Sequence, residues 1–351
     1  MAQNAASDGN YLAFEKPILE LEVKIREFEE LSKANNMDFT DEIESFRRRQ
    51  ETLTKEIFAN LTDWQRVELA RHPRRPQTLD YVASIVTDFV ELAGDRMFGN
   101  DRAIVTGLGT IKGRRVMLVG QQKGRNTKEA IACNWGCPLP EGYRKALRKM
   151  KLAEKFKLPV VTLIDTRGAH PGIEAEERGQ SLAIAENLEA MAMLRTPIVC
   201  VVISEGGSGG ALGIGVGDRV GMLQYAWYSV ISPEGCAAIL WKTETAREKA
   251  AAALKLTSTE LLKLGVIDEI VPEPLGGAHR DPGAMADTLA DWIVKKTDEV
   301  AALSVDELLE QRYERIRKWG VVREGEGIPL APEPPPLPEQ DAKKAQGGKK
   351  K

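Results

Sequence analysis

The chain has 351 residues, 42% hydrophobic and 29% charged, with a formal net charge of -3. That is ample material for a buried core, and it argues against a nucleic-acid binder whose whole surface is basic. No apolar run approaches the roughly 20 residues that span a bilayer, and Met1 to Asn10 lack the basic-then-apolar order of a signal peptide, so a cytoplasmic chain with no membrane contact is expected.

Residues 1–16 are polar and are expected to be a flexible N-terminus. Residues 17–70 are expected to form a helical hairpin. Leu21, Ile25 and Phe28 make one helical stripe, Ile43, Phe46, Leu53 and Ile57 make another, and Asp38 is a suitable N-cap for the second helix. From Arg75 the texture changes. Ala103 to Leu108 and Val116 to Gly120 are short β-like runs around the turn signal Lys112–Gly113. Pro159 to Ile164 and Pro197 to Ile203 are solid apolar runs rich in β-branched residues, which suits strands covered on both faces. Helix-like segments occupy 141–157, 174–194 and 282–318. Strand and helix in alternation imply an α/β fold for residues 71–320. Residues 321–351 are Pro-rich and end in lysines. They lack the apolar content to build a core, so they are expected to be a disordered tail whose removal from 326 onward leaves activity nearly unchanged.

The segment Ser204-Glu-Gly-Gly-Ser-Gly-Gly-Ala-Leu-Gly213 follows an apolar strand and opens a helix-like stretch. A glycine-rich turn there brings backbone N–H groups close to a ligand, to cradle phosphate or to stabilise an oxyanion. Close packing that tolerates only glycine is the plainer explanation. Walker A is excluded by the missing Gly-Lys-Ser/Thr ending, and Leu212 stands where G-x-G-x-x-G needs its third glycine. Gly206 to Gly210 also match the G-x-S-x-G nucleophile elbow, with Asp268 and His279 following in the order required, so a serine hydrolase using Ser208 is a rival. A non-catalytic scaffold working through the hairpin or the tail is another.

A second glycine turn, Asp165-Thr-Arg-Gly-Ala-His-Pro-Gly172, ends the preceding strand, and two such turns converge at strand carboxyl ends in α/β sheets. His170 in it is a candidate binding residue or a plain loop histidine. Lys123, Arg125 and Lys128 form a basic loop that could meet a phosphate-rich substrate or simply be solvated. Cys133 and Cys137 have the only metal-like spacing, and no second Cys/His pair accompanies them, so no metal site is expected.

Several motifs in order resemble one family. They are Arg71-His-Pro-Arg-Arg-Pro-Gln-Thr-Leu-Asp-Tyr81, Glu91-Leu-Ala-Gly-Asp-Arg96, Pro140-Glu-Gly-Tyr-Arg-Lys-Ala146, Gly207 to Ala211, Val230-Ile-Ser-Pro-Glu-Gly-Cys236 and Pro274-Leu-Gly-Gly-Ala-His-Arg280. Over about 11–320 the chain resembles the alpha subunits of bacterial multisubunit acetyl-CoA carboxylase carboxyltransferase. The resemblance implies a crotonase-like spiral of ββα turns, of the ClpP/crotonase superfamily, behind the N-terminal hairpin. It implies transfer of a carboxyl group from biotin, held on a biotin carboxyl carrier protein, to acetyl-CoA, giving malonyl-CoA for fatty acid biosynthesis. The implied partner is a carboxyltransferase beta subunit, in an α2β2 heterotetramer, which carries the family's zinc. ATP is used by a separate biotin carboxylase. Gly209 and Gly210 would donate backbone N–H groups to the biotin oxygen, with Gly168 and Ala169 lining the other side. Lys123, Arg125 and His170 would touch substrate. Arg167 and His170 stand where the family pattern has Pro and Tyr. On this reading, Gly210→Val should end transfer while leaving the fold intact.

Overall fold

A computed structural model describes residues 11–35 and 38–320. The expected tail over 321–351 lies outside them. So does the start of the expected flexible N-terminus, but residues 11–16 are docked. Ala13–Glu15 is a turn of 3-10 helix, and Glu15 is fully buried.

Helices α1 (Lys16–Asn35) and α2 (Thr40–Ala59) form the expected hairpin. Leu21 and Ile25 are buried, and Phe28 meets Phe39 and Phe46 with ring centroids 5.4 Å apart. Asp38 acts one residue before the N-cap position. Its Oδ1 accepts from the Thr40 N–H at 3.0 Å and from the Thr40 hydroxyl at 2.6 Å. Phe39 holds the cap position itself and has no oxygen to offer. Helix α3 (Asp63–Ala70) starts on a Thr62/Gln65 capping box and leads the chain to α4 (Thr78–Ile85).

The sheet begins with β1 (Val86–Glu91), β2 (Ile104–Ile111) and β3 (Arg114–Gln121), which are antiparallel. Lys112 and Gly113, with φ of 43° and 83°, make the two-residue hairpin turn, whose twist requires positive φ at both positions. After α5 (Thr127–Ala132) and α6 (Pro140–Lys155), the chain enters β4 (Val160–Thr166), parallel to β3. The segment expected as one helix over 174–194 is two, α7 (Ile173–Glu177) and α8 (Gln180–Met193). Gly179, at φ 80°, separates them. Strand β5 (Ile198–Gly207) follows, then α9 (Ser208–Leu212), β6 (Arg219–Leu223) and β7 (Trp227–Ser229). Helices α10 (Pro233–Trp241), α11 (Arg247–Leu254) and α12 (Ser258–Lys263) precede the last strand, β8 (Glu269–Val271). The 282–318 segment divides into α13 (Pro282–Ala301) and α14 (Val305–Arg317), the latter opened by a Ser304/Glu307 capping box.

The strand order is β1-β2-β3-β4-β5-β6-β8, with β7 paired to β5. Every residue of β4 and β5 is buried, as the apolar runs that open them require, and the polar residues Asp165, Thr166, Ser204 and Glu205 are buried at their carboxyl ends. Strand β5 has two neighbours along one edge. Val199 to Val202 pair with β6, while Glu205 to Gly207 pair with β7. The sheet therefore splits where β5 ends, and β4 shows a register shift between Ile164 and Thr166 at the same level. That splitting opens the carboxyl ends of the parallel strands, where ligands bind in α/β sheets.

Candidate active site

Both glycine turns sit at this end of the sheet. Thr166 to Ala169 leave β4, and Gly207 to Gly210 leave β5 and start α9. They pack backbone against backbone. A Cβ on Gly207 would lie 2.1 Å from the Arg167 carbonyl oxygen, and one on Gly210 would lie 2.3 Å from the Ala169 nitrogen. Glycine at these two positions is thus explained by close approach alone. Gly209 differs. It is half-buried, and nothing lies within 4 Å of where its Cβ would be. Gly168, at φ 149°, is also nearly open, with its nearest neighbour, Ser208 Cβ, at 3.9 Å. The first-turn N–H groups of α9 have no acceptor within the helix, and the side-chain direction of Gly209 is open.

This corrects the expectation for Gly210→Val. A side chain there collides with main chain that has no flexible end to move, so the fold is affected first. Gly209 is the position where obstruction and folding separate.

Ser208 is exposed, with φ 55°, on the strand-to-helix junction. The elbow reading nevertheless lacks its partners. Asp268 accepts from Arg315 and from the Val220 N–H. His279 is buried against Glu15, with Nε2 at 3.2 Å from Oε1, and stacks on His72 at 3.9 Å. The three triad candidates belong to three separate networks.

Beside the turns lies a cavity of about 400 Å³, lined among others by Arg71, Lys123, Arg125, Trp135, Asp165 and Glu205. Its floor is a buried charge network. Lys123 Nζ lies 2.5 Å from Asp165 and 2.6 Å from Glu205. Arg71 pairs with Glu205 at 2.6 Å and Glu234 at 2.5 Å, and its guanidinium lies over the Trp64 and Trp227 rings. Burial alone would raise the Glu205 carboxyl, but Lys123 and Arg71 outweigh it and hold it at about 2. Burial would likewise lower Lys123, and Asp165 with Glu205 holds it above its ordinary value.

The expected substrate-binding side chains are therefore not a common anion cradle. Lys123 spends its charge on two carboxylates. Arg125 is exposed, pairs with Asp80 and donates to the Pro73 carbonyl at 3.3 Å. His170 is half-buried. Its Nδ1 accepts from the Gly172 N–H at 3.1 Å, and its own N–H donates to the Pro138 carbonyl at 3.0 Å, so it braces its loop. Arg167 projects outward, 61% exposed, 3.9 Å from Glu205.

Sequence reasoning missed Arg71, Asp165 and Glu205 as a unit, because Arg71 and Glu205 are 134 positions apart. It also missed the grouping of Glu15, His72 and His279, whose ligand-type atoms lie within 4.8 Å of one another. All three side chains have hydrogen-bonding duties. Glu15 accepts from Leu12 N–H and faces His279, and His72 Nδ1 accepts from Arg74 N–H. The group reads as a clasp for the N-terminal segment. Cys133 and Cys137 are free thiols, and burial pushes Cys133 up to about 11.

The family model and the related sequences agree on one family. The family model described as acetyl co-enzyme A carboxylase carboxyltransferase-like matches residues 11–320. The acetyl-coenzyme A carboxylase carboxyl transferase subunit alpha of Methylococcus capsulatus is 56% identical over 317 residues, covering 90% of this chain and 99% of that protein. This chain belongs to that alpha-subunit family. The subunit of the same name from Colwellia psychrerythraea is 56% identical over 316 residues, covering 89% of this chain and 98% of its own. A chain of a Pseudomonas malonate decarboxylase hetero-tetramer, solved in complex with coenzyme A, superposes with a TM-score of 0.52 at 15% identity. It covers 63% of this chain and 90% of its own. The beta subunit of Pseudomonas aeruginosa geranyl-CoA carboxylase gives 0.51 at 18% identity, over 70% of this chain and 46% of its own. These likenesses establish the crotonase-like fold. No helix among the described residues is long and apolar enough to cross a membrane.

Proposed function

We propose that this alpha subunit, with a carboxyltransferase beta subunit in an α2β2 heterotetramer, transfers a carboxyl group from biotin on a carrier protein to acetyl-CoA, giving malonyl-CoA in the cytoplasm. ATP-dependent loading of biotin belongs to a separate biotin carboxylase. The observation that carries the proposal is the open face of the Gly209 turn, set against the Gly168 turn at the ends of two buried parallel strands.

Biotin, when bound, supplies an N-linked carboxyl group and, once that has left, a basic ureido group. The open space beside Gly209, with nothing within 4 Å of its Cβ position, leaves room for the ureido carbonyl oxygen to approach. Gly209 and Gly210 offer backbone N–H groups where negative charge develops as the carboxyl group leaves, and Gly168 and Ala169 wall the opposite side. Preorganised donors of this kind are worth about 10²–10³ in rate each. No side-chain nucleophile is needed, so Ser208 is a bystander. With Lys123 and Arg125 held in ion pairs, the backbone is the better-supported source of donors.

Reconstitution tests the proposal. The purified chain alone should give no malonyl-CoA, and addition of a beta subunit should restore transfer from free biotin derivatives. Appreciable turnover by the lone chain, or labelling of Ser208 by a fluorophosphonate probe with loss of activity in Ser208→Ala, would overturn it.

A further inference from the structure

Helix α9 has five residues, and glycine occupies positions 207, 209, 210 and 213 in and around it. A single turn is costly to nucleate, and glycine adds backbone freedom that must be lost. Such a segment does not hold its own geometry, so the geometry has to be imposed by neighbours.

Three buried side chains from three elements impose it. Gln121, at the end of β3, is fully buried, and its Nε2 donates to the Gly210 carbonyl at 2.8 Å. Tyr143 of α6, also fully buried, donates its hydroxyl to the same oxygen at 3.1 Å. Asn187 of α8 donates to the Gly213 carbonyl at 2.9 Å. The Gly210 carbonyl has no partner further along its own turn, because Ile214 N–H goes to the Ala211 carbonyl. Its orientation is therefore set by Gln121 and Tyr143.

Gln121 does more than hold one carbonyl. Its Oε1 accepts the Asp165 N–H at 3.0 Å, and Asp165 leads directly into the Thr166 to Ala169 turn. One amide group thus joins both glycine turns. A buried amide is expensive unless both its ends are bonded, and here one end serves each turn.

We infer that Gln121 is a positioning residue for carboxyl transfer. It fixes the two glycine turns relative to each other through the Gly210 carbonyl and the Asp165 amide, with Tyr143 as the second anchor. The inference rests on the reading that the Gly209 and Gly210 N–H groups are the donors. Gln121→Met keeps the side-chain length and removes both hydrogen bonds. Tyr143→Phe removes one hydroxyl and keeps the packing.

The test uses the assembled alpha–beta complex and combines steady-state kinetics with hydrogen exchange. Misplacing a donor by about 1 Å costs up to about 10²-fold, so Gln121→Met should lower kcat about tenfold or more while both KM values stay within about twofold. Exchange at residues 209–211 should quicken by about tenfold, with β4 and β5 unchanged. Tyr143→Phe should move kcat and exchange the same way by a smaller factor. If Gln121→Met does not fold, Tyr143→Phe decides. A folded, complex-forming variant with wild-type kcat and wild-type exchange overturns the inference, as does a loss confined to KM. A wild-type complex that shows no transfer would instead overturn the proposed function, and exchange at 209–211 would still decide whether Gln121 and Tyr143 position the turn.

Discussion

At the residue scale, the glycines of the 204–213 segment do different work. Gly207 and Gly210 let two turns touch, while Gly209 faces open space. Gly209→Val should keep stability within about 1 kcal/mol, because its Cβ meets nothing and its φ is not in the left-handed region. It should lower transfer by about 10²-fold or more, because the valine keeps the backbone N–H but fills the space from which the developing charge would reach it, which costs as much as losing an oxyanion donor. Gly210→Val should instead cost about 1–3 kcal/mol or more in stability through forced backbone movement. Melting temperature, complex formation and turnover, measured on one preparation of each variant, separate the two. Wild-type turnover in a well-folded Gly209→Val complex would remove this turn from the mechanism. The sequence marks the turn through its glycine excess after a strand, but identical residues carry no sign of which face is open. The charge network was illegible for a related reason: Lys123 stood out only as a basic loop residue, and only the fold brings it together with Arg71 at the end of α3, Asp165 on β4 and Glu205 on β5.

At the element scale, strands with continuous apolar runs were readable, because burial on both faces keeps polar residues to the strand ends, where Asp165 and Glu205 are paired. Strand β1 was not, since it is an exposed edge with a bulge after Thr87 and carries Thr87, Asp88 and Glu91. The hairpin was readable from its stripes, but its attachment was not. That attachment runs through Glu15, which His279 meets at 3.2 Å and Arg280 at 3.7 Å, and through Glu22, which Arg280 meets at 2.9 Å. Glu15→Ala would leave His279 without its buried acceptor, while Arg280 would keep Glu22. Removing the acceptor of such a buried hydrogen bond costs about 1–3 kcal/mol. The outcome expected is early proteolytic cleavage within residues 11–60 while the sheet stays protected. Global unfolding of the sheet at the same protease dose would show that the clasp belongs to the main core instead.

At the scale of the whole molecule, the split sheet and the buried charges are linked. Between the β5 residues that pair with β6 and those that pair with β7, the Ile203 carbonyl accepts from Arg75 at 3.0 Å, Arg75 pairs with buried Glu273 at 2.6 Å, and the Arg71–Glu205–Lys123–Asp165 network lies at the ends of the neighbouring strands. Nothing in a linear pattern foretells that β5 serves two neighbours, so the spiral came from family likeness rather than from periodicity. The arrangement makes stability depend on acid pH in a definite direction. Glu205 has its carboxyl depressed from 4.5 to about 2, and Glu15 and Glu234 are also held below their ordinary value, each against the opposing effect of burial. Between about pH 4.5 and 2 the unfolded chain binds more protons than the folded one, so stability falls as pH falls through that window. Above about pH 4.5 the Glu205 contribution is fully present. Asp101 works the other way, since burial raises its carboxyl, and it offsets part of the slope near its ordinary value. Glu205→Gln separates these contributions, because it removes the most depressed carboxyl while keeping its shape. The variant should be less stable at neutral pH by about 3–5 kcal/mol, since Arg71 and Lys123 lose a buried counter-charge. It should also lose less further stability than the wild type between pH 4.5 and 2, as read from chemical denaturation at several pH values. Parallel pH curves for the two proteins would show that Glu205 is not the group through which acid unfolds this end of the sheet.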